Sequence, residues 1–344
     1  MTQENTLLNS TFTNLFFGEG GAGLSRHDVA RYPVLDKMND KMMSFFWKPQ
    51  EIDMSQERMS FNKMTDAEQF VFTSNLRRQI LLDSIQGRAP SLCFLPIATD
   101  PQLEACIQTW SFFEQLHSLS YGYILRAIYP DPEEVFTGIP AIAEIADCAQ
   151  SIGVCYENLA ISPSKENLYL ALISANALEA IRFYVSFACT FSFAERGLVN
   201  GSANIVKLIA RDEAQHLALV QNILKLLPKD DPEFIQIAGD LKGVAANIFD
   251  EAAEQEKNWT KYLFQHGSIL GLNSSILDSY VDMLNVKQKK SVLGVPGHRV
   301  DHPIPWIERW LSSKGTQEAS QETEKTSYLI GSLINDVSDM ELSL

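Results

Sequence analysis

The stretch WSFFEQLHSLSY (110–121) decides how this chain reads. Residues three and four apart share a helix face, so Glu114 and His117 project together and Tyr121 follows one turn on. A second Glu-x-x-His pair, Glu213 and His216, lies in RDEAQH (211–216), although the chain has only six histidines. Upstream of the first pair stands Asp83 in ILLDSIQGR (80–88), and upstream of the second stands Glu179 in NALEAIRFYVSFA (176–188). One carboxylate helix followed by one Glu-x-x-His helix therefore occurs twice. A single such pair is ordinarily a solvated helix face. Two pairs with matched acids among apolar neighbours are different, because a buried carboxylate without a partner is costly.

Two divalent ions at close range need several anionic oxygens between them and imidazoles to complete their shells. The pattern supplies four carboxylates and two histidines, the set that ferritin-like dinuclear proteins carry on four helices. Oxygen and nitrogen donors favour iron or manganese over thiolate-seeking metals. Phe183 and Phe187 repeat helically from Glu179 and can wall the site from water, or simply be core. Asp212, beside Glu213, reads as a carboxylate that orients one of the histidines.

Outward from these motifs the chain reads as all-α, a ferritin-like helical bundle. Helices are expected over 66–86, 101–129, 140–159, 164–198, 203–226, 233–265 and 274–286, with caps at Thr65, Asp100 and Ser162. A composition of 45% apolar and 21% charged residues in 344 suits a globular protein with a large core. The formal net charge of -15 argues against nucleic acid and anionic membranes as partners. The run from Leu168 to Phe193 is long enough to span a bilayer, but Glu179 and Arg182 in its middle favour a buried core helix. Five cysteines without a C-x-x-C pair, and an N-terminus without a basic-then-apolar leader, fit a reducing cytoplasm. After Trp310 the polar run SSKGTQEASQETEKTSY marks the end of a folded unit at 1–311 and a flexible tail at 312–344.

The segments SFFWKP, LLDSIQGR, WSFFEQLHSLSY, NALEAIRFYVSFA, RDEAQH and PIPWIERWL, in that order, resemble the small subunit of class I ribonucleotide reductase. The likeness is to the tyrosyl-radical type. It implies that Asp83, Glu114 and His117 ligate one metal and Glu179, Glu213 and His216 the other. It also implies that oxygen chemistry at the metals oxidises Tyr121 to a stable radical. The cofactor implied is two iron ions per chain, with a manganese pair as the alternative. Trp47, Asp212 and His117 then resemble the start of a radical-transfer relay, with Glu322 and Tyr328 on the tail near its exit. The implied partners are a second copy in a homodimer and the large subunit, reached through the C-terminal tail. The product is a ribonucleoside-diphosphate reductase holoenzyme that makes deoxyribonucleotides. A ferritin-like oxidase or desaturase acting on a lipid or acyl chain would share the ligands without needing Tyr121. An iron-storage cage would need no partner-binding tail.

Overall fold

The computed structural model describes residues 14–18, 25–298 and 300–312. Glu322, Tyr328 and the tail assigned to docking lie outside those residues. Within them the regular structure is helical, and the only strand-like pairings are the isolated bridges Phe16 with Ala98 and Ile269 with Leu272. Four segments make the frame of the site. Asp66–Gln86 carries Asp83, Pro101–Ile128 carries Glu114, His117 and Tyr121, Lys165–Ala194 carries Glu179, and Asn200–Asp230 carries Glu213 and His216. The Asp83 helix packs on the Glu114 helix, which packs on the Glu213 helix, which in turn packs on the Glu179 segment. Lys242–Leu263 and Ser274–Leu293 pair beside them and close the bundle.

Local chemistry explains most of the boundaries. Thr65 accepts from the Glu68 amide while the Glu68 side chain accepts from the Thr65 amide, a reciprocal cap at the start of the Asp83 helix. Asp100 accepts from the Leu103 amide at 2.9 Å and starts the Glu114 helix. Ser162 is not the third cap. Ser164 accepts from the Asn167 amide instead, which leaves Pro163 outside the helix.

The segment expected as one helix over 164–198 is interrupted. Lys165–Ala177 passes into a π turn, Leu178–Arg182, before Tyr184–Ala194 resumes. Glu179 sits in that turn, a deformation often found at functional sites. The helix expected over 233–265 is two helices, Glu233–Asp240 and Lys242–Leu263, which break at Leu241. The helix expected over 203–226 runs from Asn200 to Asp230 and carries Pro228 in its last turn. The helix expected over 274–286 continues to Leu293, where Gly294 turns left-handed with φ 62° and ends it. The region expected over 140–159 is helical from Ala143 to Ile161, and Pro33–Ser44 adds a helix that the apolar pattern did not announce. Lys165–Ala194 is the one described helix long and apolar enough to cross a membrane, and 89% of its most apolar window is buried in the protein.

Candidate metal centre

All six candidate ligands have 0% exposure and meet in the middle of the four-helix frame. Their donor atoms form two overlapping groups, each within 4.8 Å: Asp83, Glu114, His117 and Glu213, and Glu114, Glu179, Glu213 and His216. Glu114 and Glu213 belong to both. Glu114 presents Oε2 to His117 Nδ1 at 3.5 Å and Oε1 to His216 Nδ1 at 3.1 Å. Glu213 presents Oε1 to His117 Nδ1 at 3.2 Å and Oε2 to His216 Nδ1 at 2.9 Å. Asp83 lies only on the His117 side. Glu179 lies only on the His216 side, with Oε2 at 4.0 Å from His216 Nδ1. Asp83 and Glu179 thus stand at opposite ends of the cluster, and Glu114 and Glu213 face both imidazoles.

Protonation is strained in this cluster. Burial, then the charges of Glu213 and Glu114, push the Asp83 carboxyl well above its usual range. The same forces raise Glu179. Burial also works against Glu213, but the two imidazoles overcome it and hold that carboxyl well below its usual range. Burial lowers His216, yet the Glu114 and Glu213 carboxylates outweigh it and lift the imidazole to about 9. His117 is raised likewise by Glu213, Asp212 and Glu114. Four acids this close and this dry call for positive charge between them.

The hydrogen-bond accounting agrees. Both Asp83 oxygens, Glu114 Oε2, Glu179 Oε2, Glu213 Oε1 and His117 Nδ1 are buried without a hydrogen-bond partner. Buried polar atoms are normally paired, and these six belong to residues of the two donor groups, where cations would satisfy them. The residues present fit a dinuclear metal site of hard oxygen and imidazole ligands.

The neighbours differ from side to side. Trp47 Nε1 donates to Asp212 Oδ2 at 2.7 Å, and His117 Nε2 approaches the same oxygen at 3.4 Å. Arg211 donates to the other Asp212 oxygen at 3.0 Å and to the Phe45 carbonyl at 2.6 Å. Asp212 thus lies against both Trp47 and His117, and Arg211 ties it to the segment that bears Trp47. Tyr121 is fully buried. Burial, then the Asp83 carboxylate, pushes its phenol well above the ordinary value and keeps it protonated.

On the His216 side, Trp110 Nε1 donates to Glu114 Oε1 at 2.9 Å and Gln86 Nε2 donates to Glu179 Oε1 at 2.8 Å. Neither residue carries a ligand motif of its own, although Trp110 precedes Glu114 by one turn and Gln86 follows Asp83 by one. Phe183 and Phe187 are both buried, and their rings stack 5.8 Å apart at 13°.

Comparison with known proteins gives one consistent result. The family described as ribonucleotide reductase, small chain, matches residues 29–286. The ribonucleoside-diphosphate reductase subunit beta of Buchnera aphidicola (subspecies Acyrthosiphon pisum) is 44% identical over 354 residues, covering 95% of this chain and 94% of that one. Among solved structures, the ribonucleotide reductase R2 subunit from Clostridium botulinum superimposes with a TM-score of 0.80 at 22% identity, covering 91% of this chain and 99% of that one. The dimanganese(II) NrdF of Streptococcus sanguinis shares the fold with a TM-score of 0.69 at 19% identity, covering 83% and 98%.

Proposed function

This chain belongs to the family of ribonucleotide reductase small chains, and we propose roles for its residues on that premise. It is the radical-generating subunit of a ribonucleoside-diphosphate reductase and works with a large subunit. Asp83, Glu114 and His117 would hold one metal and Glu179, Glu213 and His216 the other, with Glu114 and Glu213 the acids that face both imidazoles. When bound, the metal pair supplies the redox chemistry that activates oxygen.

Tyr121 is the residue that would supply one electron and its phenolic proton to that oxygen chemistry. Its burial shields the radical from solvent, and the stacked Phe183 and Phe187 keep the far side of the site dry. Trp47, Asp212 and His117 begin the radical-transfer path, a role supported by the two contacts to a single Asp212 oxygen. Glu322 and Tyr328 continue it on the tail, and residues 312–344 dock on the large subunit. Iron is the metal we assign, two ions per chain. Manganese fits the same donors and is the metal named for the NrdF relative.

A second copy completes the subunit as a homodimer. Exposed apolar side chains at Met43, Phe112 and Leu119 on the outer face of the bundle support such an interface, since patches of this kind mark contact surfaces. The buried, largely apolar Lys165–Ala194 segment is core, in keeping with a cytoplasmic enzyme.

The single observation that carries this reading is the pair of glutamates facing both histidines, with a buried tyrosine one turn beyond. Its test is electron paramagnetic resonance on protein loaded with ferrous iron and exposed to oxygen. A tyrosyl signal should form in the parent and vanish in Tyr121→Phe, with metal content unchanged. An oxidase or desaturase would keep its chemistry in that variant, so a signal that survives the substitution removes Tyr121 from the account.

A further inference from the structure

Glu179 differs from the other end ligand, Asp83, in being held from outside the site. Tyr156 donates its hydroxyl to Gln86 Oε1 at 2.7 Å, and Gln86 donates Nε2 to Glu179 Oε1 at 2.8 Å. All three side chains are buried. Asp83 has no such chain behind it; its polar neighbour is Tyr121, inside the site. We propose that Tyr156 and Gln86 are positioning residues that hold Glu179 as a one-oxygen ligand, so that the metal position beside His216 is set from the direction of the surface. The inference rests on Glu179 being a ligand.

The direction of the chain follows from the two hydrogen bonds. An amide can face a neighbour with either its oxygen or its nitrogen at almost the same shape. Gln86 gives its nitrogen to Glu179 Oε1, which leaves its oxygen facing Tyr156. The Tyr156 hydroxyl must then donate. With that proton in place the amide has one orientation, Glu179 Oε1 is occupied, and only Oε2 points to His216. Without it, Gln86 is free to flip, and Glu179 is free to swing on a π turn whose backbone already departs from regular helix.

Tyr156 also lines a groove of about 650 Å³ between the end of the Asp83 helix and Ala143–Ile161, with Ile85, Leu92, Cys93 and Val154 among its walls. The Phe94 ring meets Tyr156 edge-on at 5.9 Å and stacks on Trp110 at 6.0 Å. Trp110 in turn donates to Glu114 Oε1. One wall of aromatic packing, set on the π turn Pro90–Phe94, thereby braces two ligands of the His216 position and none that belongs to the His117 position alone. If Tyr156 and Gln86 merely satisfied each other in the core, removing the hydroxyl would cost stability and leave metal binding alone.

The test is titration of the metal-free full chain with Mn(II), with free Mn(II) read by electron paramagnetic resonance. The parent should bind two ions. In Tyr156→Phe one of the two binding steps should weaken about tenfold while the other holds, the size usual for loss of a ligand's outer partner. Gln86→Met should weaken the same step at least as much. Because Tyr156 acts through Gln86, the double variant should bind no worse than Gln86→Met alone. Mn(II) binding unchanged in both single variants overturns the proposal, as do losses that add in the double variant. Gln86→Met decides alone if Tyr156→Phe does not fold, since parent-like binding in it breaks the chain at its middle. A parent that binds fewer than two ions overturns the ligand assignment itself, and this inference with it.

Discussion

Around His117 the ligands look outward to Tyr121 and, through Asp212, to Trp47, whereas around His216 they look to Gln86, Tyr156 and Trp110. Both halves arise from the same sequence device, a lone acid on one helix and a Glu-x-x-His pair on the next. Their donor sets are nearly interchangeable. What separates them is the neighbourhood: one side meets an oxidisable phenol and an indole tied to a carboxylate, the other a braced amide and packed rings. The ligands fit a metal site, and on the proposed reading the asymmetry of what surrounds them makes it a radical site with one exit.

The largest effect should come where the halves join. Glu114 offers one oxygen to each side, so Glu114→Ala should lose both ions, seen as metal content near zero after desalting. Retention of one full ion would show that Glu114 serves a single half.

Acidity should come next. A raised imidazole pKa means that the metal-free folded protein holds that proton, and a metal must displace it, so affinity falls as pH drops. With His216 at about 9, Mn(II) binding should weaken by about fiftyfold between pH 9, where half of the imidazoles hold the proton, and pH 7, where nearly all do. His117, raised as well, adds to the slope in the same direction. A flat profile over that range would place the protons elsewhere.

Asp212→Asn tests the exit on the His117 side with a smaller effect. Turnover with the large subunit should fall by about tenfold to one hundredfold, as outer-partner losses do, while the Tyr121 signal still forms. Equal loss of signal and turnover would make Asp212 a support of the metal and not of the path.

How much of this could be read from the sequence depends on distance along the chain. Glu114, His117 and Tyr121 share one helix face, and so do Glu213 and His216, so local periodicity was enough to group them. Asp83 and Glu179 were legible as acids in apolar surroundings. Trp47 and Asp212 lie 165 residues apart, and only the family resemblance joined them. Tyr156 reaches Gln86 across 70 residues with no motif to mark it.

The start of the Glu213 helix shows the same limit in the fold. Glu57 accepts from the Gly201 and Ser202 amides at 2.8 and 3.0 Å and caps that helix from 144 and 145 residues away. A Cβ at Gly201 would meet Met54 Sδ at 2.6 Å and the Asp53 carbonyl at 2.7 Å, so glycine lets the segment approach. No local signal marks Asn200 as the first helical residue. The π turn at Glu179 was hidden for another reason: its apolar pattern runs on through the deformation, and periodicity alone reads one continuous helix.

The central claim is that two metal positions share Glu114 and Glu213 and differ in their end ligands. Anomalous diffraction at the manganese edge from Mn(II)-loaded crystals tests it directly. The account predicts two peaks about 3.5–4 Å apart, each touched by one oxygen of Glu114 and one of Glu213, with Asp83 on only the His117 side and Glu179 on only the His216 side. A single peak, or two peaks with Glu114 and Glu213 each confined to one of them, would contradict it.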